Sequence, residues 1–563
     1  MPDRRFALLA VAGAALFLLA FRASAVWGDD FVPSYGSFPL SRGELSFRLS
    51  QLLYVLPAAL LLALAAGAVA TERAVRVFDA LDRAPARAAW ALAALATLAA
   101  GAVRVLVLRG VEVTDDENAY RFQAWILEHG ALTASSVAAE LRPFFDNQFI
   151  INDGRWYASY FIGHPALLAL ARQLSVEEAL GPLCAGACTL LTFAIGRLAF
   201  GPRVGIVGAA LVALSPFTAF LFATRLSQTT SAVALGVVAL AALRVDEQPA
   251  RIRSWAALGL ATSCAMFIRP QTALPFAAAL LAPLAWRLVR RALRPPAWGP
   301  LVAVAGLALG AAGMLAVNWA QNGGALITGY QVLARTAPHP VFPTGVVPSL
   351  MQLTDGGAHL MFWLFGWPVS LAFVPFFERR PAAVRLAAVC GVVVAFYALT
   401  AVPTVAPVGP AYYAELLPAL ALLTASGWQR GVQALVGLAR PRGAAALIAS
   451  PAVLALLALV TFVPAHAWWL SRSADLTALP YRAADAAGLS HALVFVDELP
   501  NRTLPPHSWA YYRRNPAPDL SDPVVWANDL GDERNRELVR ALGRAGFRLA
   551  LVDGAVRFVP LPP

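Results

Sequence analysis

The sequence predicts an α-helical, polytopic membrane protein with a small α/β unit outside the membrane at its C-terminal end. Three observations lead there. Of 563 residues, 59% are hydrophobic and 14% charged, against roughly 45–50% and about 25% in an average soluble chain. Apolar runs long enough to cross a bilayer, about 20 residues each, recur from the first ten residues to about position 466. Beyond 467 the texture changes to short β-patterned runs around one amphipathic helix. A soluble fold of this composition would expose large apolar patches, which excludes an ordinary cytoplasmic enzyme.

The net charge of +11 comes from Arg alone, because the chain has no Lys. The arginines are spread through short gaps between apolar runs, as the positive-inside rule requires, and not gathered on one face as a nucleic-acid patch would be. No nucleic-acid partner is expected. Heavy use of Ala, Arg, Gly and Pro points to a GC-rich bacterial genome. Cys184, Cys188, Cys264 and Cys390 lie inside apolar segments, where they read as packing residues and suggest neither disulfides nor a zinc site.

Spans are expected at 6–22, 50–70, 88–108, 179–199, 204–222, 227–244, 254–268, 272–287, 299–319, 358–377, 383–401, 412–429 and 443–466, about 13 in all. The first follows Arg4 and Arg5 and has no convincing cleavage site, so it reads as a start-transfer anchor. Arg73, Arg76, Arg83, Arg87, Arg197, Arg203, Arg244, Arg251, Arg253, Arg287, Arg290, Arg291, Arg294, Arg379, Arg380, Arg385, Arg430, Arg440 and Arg442 fall in short gaps on one side. The long segments 23–49, 109–178, 320–357 and 467–563 fall on the other. The N-terminus is therefore expected in the cytoplasm, with the long loops facing the periplasm across a bacterial inner membrane. Residues 158–173 are apolar but short and contain Gly163 and Pro165, so they read as an interfacial or re-entrant helix. Three regions result: two N-terminal spans over 1–87, a core over 88–466 with the loop 109–178, and a periplasmic α/β region over 467–563. In the last, 491–499 and 524–530 read as strands, 532–544 as a helix capped by Asp532, and two more strands follow.

The most informative stretch is 113–130, just outside span 88–108, where Asp115, Asp116 and Glu117 are consecutive. Thr114 and Glu117 fit a capping box, and acids favour the positive end of a helix. The same helix sets Asp116, Tyr120 and Gln123 at i, i+4 and i+7 on one face. A carboxylate held at the membrane–water boundary can also serve as general base for an acceptor hydroxyl. Capping and catalysis are compatible, since a cap would hold the acid rigidly.

Asp116-Glu117 followed by Ala-Tyr-x-x-Gln-Ala resembles the acidic signature in the first large external loop of GT-C glycosyltransferases. The likeness is to the bacterial relatives of protein O-mannosyltransferases and lipid A aminoarabinose transferases. Further along, Tyr157-Ala-Ser-Tyr-Phe-Ile-Gly-His-Pro is similar to their Tyr-x-Ser-x-Tyr-Pro-x-Gly segment. Arg225-Leu-Ser-Gln-Thr-Thr-Ser, Phe267-Ile-Arg-Pro-Gln-Thr-Ala and Gly409-Pro-Ala-Tyr-Tyr-Ala-Glu-Leu-Leu-Pro resemble later segments, in order and on a common side. The resemblance covers about 88 to 466. It implies a GT-C type fold and transfer of a sugar from a polyprenyl-phosphate donor to a lipid, glycan or protein acceptor, with inversion. It also implies Asp116 as base, Asp115 being one register away, with Glu117 in support. Two departures, Ala411 and Tyr160, stand where relatives carry a basic residue and leave the phosphate ligands open.

An intramembrane charge is costly and usually functional, so Arg269 beside Pro270, Arg225 and Arg104 are the candidate phosphate ligands, with snorkelling as the bland alternative. Tyr412, Tyr413 and Glu415 are candidates for the sugar pocket, alongside Tyr120 and Gln123; for the tyrosines an interfacial aromatic belt explains the positions equally well. His164, His339 and His359 read as surface residues, since no pair has ligand spacing. Asp146 and Asp153 read as turn residues, and Asn501-Arg-Thr as a sequon without meaning in a bacterium. No cofactor is implied, and a divalent metal is left open. Membrane lipids are the remaining partner. Two rival readings stand beside the transferase: an O-antigen-type polymerase or ligase using the 320–357 loop with Arg335 and His339, and a lipid-linked sugar flippase. The flippase would need paired broken helices, and only the Arg269-Pro270 break is legible.

Overall fold

Hydropathy over 20-residue stretches dictates long helices, and the computed structural model consists mostly of them. It describes residues 4–24, 42–67, 83–147, 149–292, 295–296, 298–336, 345–400, 405–496, 513–552 and 555–561. Arg73, Arg76, Arg294, His339 and the Asn501 sequon lie outside these. Among the described residues, eight helices are long and apolar enough to cross a membrane, and the protein is a multi-pass membrane protein.

The helices follow one another as α1 (Arg4–Ser24), α2 (Arg42–Ser50, continuing through a π-turn at Gln51–Val55 to residue 67) and α3 (Pro85–Ala102, with a second π-turn at Val103–Val107). The loop after α3 holds α4 (Asp115–Glu128), three short strands and α5 (Gly163–Gln173). Then come α6 (Glu177–Ala199), α7 (Pro202–Ala213), α8 (Pro216–Leu221), α9 (Ser227–Glu247), α10 (Ile252–Ile268) and α11 (Pro270–Val289). The series ends with α12 (Trp298–Asn322), α13 (Gly329–Thr336), α14 (Val346–Trp363), α15 (Pro381–Thr400), α16 (Leu417–Gly437), α17 (Pro441–Val460) and α18 (Phe462–Ala486).

Several expected spans differ from this course, each for a local reason. The run 204–222 is broken between α7 and α8, because Pro216 lacks an N–H and Ser215, in extended backbone, caps the next turn by accepting from the Thr218 N–H. The run 358–377 is the end of α14 followed by turns, with Gly366 at φ +68°. The segment 320–357, expected as a loop, contains α13 and most of α14. The run 412–429 begins with a 3₁₀ turn, Ala411–Leu416, and its helix continues to Gly437. The expected boundary at 467 falls inside α18. In 158–173 only Gly163–Gln173 is helical, because Tyr157 and Ala158 belong to a strand.

The 109–178 loop carries a small antiparallel sheet of β1 (Ala134–Ser135), β2 (Ile150–Asn152) and β3 (Arg155–Ala158), with β3 in the middle. A second sheet has the order β5-β4-β6-β7, from β4 (Ala492–Val496), β5 (Val524–Asn528), β6 (Ala545–Val552) and β7 (Ala555–Pro560). Strand β4 is parallel to β5 and β6, and β7 returns antiparallel. Alternation gives the sheet two faces: Leu493, Phe495, Val525 and Ala527 join the main core, while Val494, Val496 and Trp526 pack on Tyr481 and Ala484 of α18. The helix α19 (Asp532–Leu542) is capped differently from expectation. Gly531, at φ +92°, takes the cap position, Asp532 enters the first turn, and the Asp529 carboxylate accepts from the Gly531 N–H.

Close helix approach depends on small residues, as at Gly196 in α6, where an added Cβ would sit 2.6 Å from the Cα of Gly205 in α7. Gly196→Val is therefore expected to destabilise the bundle by about 1–3 kcal/mol, read as a lower unfolding temperature in detergent; an unchanged temperature would contradict the close packing.

Candidate functional site

The site grows from the N-terminus of α4. Thr114 caps the helix by accepting from the Glu117 N–H at 3.3 Å, as the capping-box reading requires. The Glu117 carboxylate reaches back to the Val113 N–H at 3.0 Å and across to the Arg225 N–H at 2.8 Å. Burial raises its pKa, and both oxygens are held by donors. Glu117 therefore fixes where α4 starts relative to the entry of α9.

Asp116, the next carboxylate, points elsewhere. It accepts a hydrogen bond from the Tyr160 hydroxyl. Burial raises its pKa, against the lowering effects of that bond and of Arg269. One turn on, the Tyr120 hydroxyl lies 2.9 Å from Ser227 Oγ, and its ring centroid lies 4.6 Å from that of Tyr160. Tyr330 of α13 meets Tyr160 edge-on, with centroids 5.6 Å apart.

Arg269 stands at the junction of α10 and α11. Pro270 cannot continue the α10 ladder, so the chain turns there and the guanidinium is buried. Its Nε lies 3.0 Å from Glu415 Oε1, Nη1 donates to Ser227 Oγ at 3.2 Å, and Nη2 donates to the Tyr397 hydroxyl at 3.3 Å. The guanidinium also lies 4.8 Å from the centre of the Tyr412 ring. Among the described residues, Glu415 is the carboxylate within ion-pair distance of Arg269 and it engages Nε, while the terminal nitrogens donate to neutral hydroxyls. Asp116, Tyr120, Tyr160, Ser227, Arg269, Tyr397, Tyr412 and Glu415 thus form one connected site, drawn from α4, the turn before α5, α9, the 269–270 junction, α15 and the 411–416 turn.

Other predicted residues go elsewhere. Gln123 is occupied by backbone: it donates to the Leu132 carbonyl and accepts from the Ala158 N–H, both at 3.0 Å, tying the loop together. The Arg225 side chain faces Glu112 at 3.5 Å, Glu177 at 2.9 Å and also Glu178, so it is neutralised by carboxylates away from Asp116. Arg104 pairs with Glu178 at 2.5 Å and donates to the Gly110 and Val111 carbonyls. Burial works to raise the Glu112 pKa, but Arg121 and Arg225 override it and hold the carboxyl well below the usual range. Neither arginine faces Asp116, because this acidic cluster claims both. Tyr413 is fully buried against Tyr397.

Two histidines expected at the surface are buried. His164 lies 2.9 Å from Thr230 Oγ1, donates from Nε2 to the Arg225 carbonyl at 2.6 Å and packs edge-on against Tyr120. Burial lowers its pKa to about 4, which keeps the ring neutral. His359 lies 3.0 Å from Arg48 Nη2 and 3.2 Å from Asp355 Oδ1. Sequence reasoning missed Tyr160, Ser227 and Tyr397 as site members. The only signal for Tyr397 was a lone phenol in an otherwise apolar run. Among the described residues no group of three or more His, Cys, Asp or Glu is arranged to hold a metal ion.

No protein-family model matches the sequence, and no curated protein does. Among solved structures, the chain is similar to ArnT from Cupriavidus metallidurans in the apo state, at 14% identity and TM-score 0.49 over 85% of this chain and 93% of that one. The same protein bound to undecaprenyl phosphate gives 14% and 0.48, over 81% and 92%. The Archaeoglobus fulgidus oligosaccharyltransferase in the apo form gives 13% and 0.42, over 82% and 69%.

Removing the Glu117 carboxylate would orphan two buried backbone N–H groups. Glu117→Ala is expected to destabilise the protein by about 1–3 kcal/mol per orphaned donor, read as a lowered unfolding temperature; a change within error would show that the carboxylate does not anchor α4.

Proposed function

We propose that this protein is an inverting glycosyltransferase that moves a sugar from a polyprenyl-phosphate donor to an acceptor hydroxyl or amine at the periplasmic face of the inner membrane. The observation that carries this reading is the presence, within one site, of the Asp116 carboxylate and a buried guanidinium whose terminal nitrogens donate to the Ser227 and Tyr397 hydroxyls and, among the described residues, to no carboxylate.

The chemistry follows from that pairing. Asp116 takes the proton from the acceptor hydroxyl as its oxygen attacks the anomeric carbon. The carbon–oxygen bond to phosphate breaks in the same displacement, so the configuration inverts. The bonding electrons leave with the phosphate, and Arg269 balances the charge that develops there. A raised pKa makes Asp116 a stronger base than an ordinary carboxylate, while the Tyr160 hydroxyl orients it. Arg269 donates rigidly because Glu415, Ser227 and Tyr397 hold its plane.

The test is release of polyprenyl phosphate by the purified protein in lipid, with polyprenyl-phosphate pentoses and hexoses as donors and lysate as the acceptor source. Asp116→Asn is expected to lower the rate by roughly 10²–10⁴-fold. Equal release by both proteins would remove Asp116 as base, and no release with any donor would favour the polymerase or transport readings.

The pH dependence has a defined sign. The base works ionised, so the rate should fall as pH drops through the Asp116 pKa, which burial raises from its ordinary value. The Tyr160 hydrogen bond favours the ionised form. Tyr160→Phe is therefore expected to shift this acidic limb to higher pH; a shift to lower pH in the rate profile would contradict the assignment.

A further inference from the structure

A cavity of about 470 Å³ opens at the far end of the bundle between the α6–α7 turn, the 374–380 turn and α16. Its position follows from two helices. Helix α15 brings Tyr397 to the Asp116 site, and Arg380 precedes its first residue, which at 1.5 Å per residue puts the two about 25 Å apart along the axis. Helix α16 starts beside Glu415 and runs the same distance away, carrying Arg430 and Gln433 into the cavity wall. The cavity therefore lies close to one hydrocarbon thickness, about 30 Å, from the reacting groups, at the depth of the opposite headgroup layer.

Its walls are basic. Arg379, Arg380 and Arg430 converge there with one carboxylate, Glu378. Arg380 pairs with Glu378 at 2.8 Å, and the Glu378 N–H donates to Ser426 Oγ at 3.0 Å, which fixes that turn against α16. Arg430 donates to the Phe377 carbonyl at 3.1 Å. Among the described residues, no carboxylate lies within ion-pair distance of Arg379 or Arg430, so both keep donors available. Phe200 and Val204 form an apolar floor. Phe376 precedes the Glu378–Arg380 turn and Val436 stands one helical turn beyond Gln433 on α16, and each is more than 60% exposed. A site for free phosphate has no use for such a rim, whereas a phosphodiester attached to acyl chains covers it.

We propose that this cavity binds the headgroup of an anionic phospholipid, with guanidinium donors from Arg379 and Arg430 on the phosphodiester and the acyl chains lying over Phe376 and Val436. Guanidinium groups match phosphate oxygens bidentately, and basic pockets between membrane helices select such headgroups. Snorkelling alone would spread arginines singly over helix ends; here they line one concavity with a net positive charge. The bound lipid would join the ends of α15 and α16 opposite the point where both reach the Asp116 site.

The test is native mass spectrometry of the full chain exchanged into detergent with equal phosphatidylglycerol and phosphatidylcholine. Wild type is expected to retain phosphatidylglycerol selectively, and Arg379→Gln with Arg430→Gln to lower that retention roughly tenfold or more. Arg251→Gln with Arg253→Gln, exposed arginines outside the cavity, should leave it unchanged. The unfolding temperature of the cavity variant in phosphatidylcholine should match wild type, with loss only of the increase that phosphatidylglycerol produces. Equal retention by wild type and the cavity variant, or no preference in wild type, overturns the proposal. Displacement of the lipid by millimolar inorganic phosphate with no dependence on the acyl chains would make this a free-phosphate site and also overturn it.

Discussion

A guanidinium buried where one span breaks into the next is the constraint around which the Asp116 end of the bundle is organised. Arg269 cannot be solvated at its position, and an unpaired buried charge costs several kcal/mol, so partners have to come to it. Glu415 supplies the countercharge, Ser227 and Tyr397 accept from its remaining donors, and Tyr412 offers a ring face. Those residues belong to the entry of α9, the last turns of α15 and the turn before α16. Satisfying one charge therefore sets the relative heights of five helices.

A second layer places the acid. Glu117 bridges the start of α4 and the Arg225 backbone, and His164 accounts for the Arg225 carbonyl on the other side of the same residue. The Arg225 side chain is drawn off by Glu112, Glu177 and Glu178. The entry of α9 is thus clamped through its backbone, while its hydroxyl at Ser227 stays available to join Tyr120 to Arg269. Among the described residues, the Tyr160 phenol is the side chain that donates to Asp116.

Much of this was legible in residue order. Thr114 and Glu117 announced the cap, the i, i+4 spacing put Asp116 and Tyr120 together, and Pro270 marked Arg269. What was not legible depended on partners from distant segments. By depth alone Arg104, Arg225 and Arg269 are equivalent; they are separated by the three glutamates that two of them meet, and nothing local to an arginine reveals those. Hydropathy averages over a Ser-Pro pair, so the break at Ser215 and Pro216 disappeared within an apolar run, and α14 was misplaced because the turn at Gly366 is itself apolar. Gln123 shared a helical face with Asp116, yet its amide is occupied by the loop it closes.

The central claim is that Arg269 receives the phosphate and Asp116 faces the sugar. The measurement that reaches it most directly is an experimental structure of the protein in a lipid nanodisc with polyprenyl phosphate bound. The phosphate oxygens are predicted to lie within hydrogen-bond distance of the Arg269 terminal nitrogens, with a sugar-sized space between them and the Asp116 carboxylate. A phosphate seated instead on Arg225 or Arg104, displacing Glu112, Glu177 or Glu178, would contradict the account.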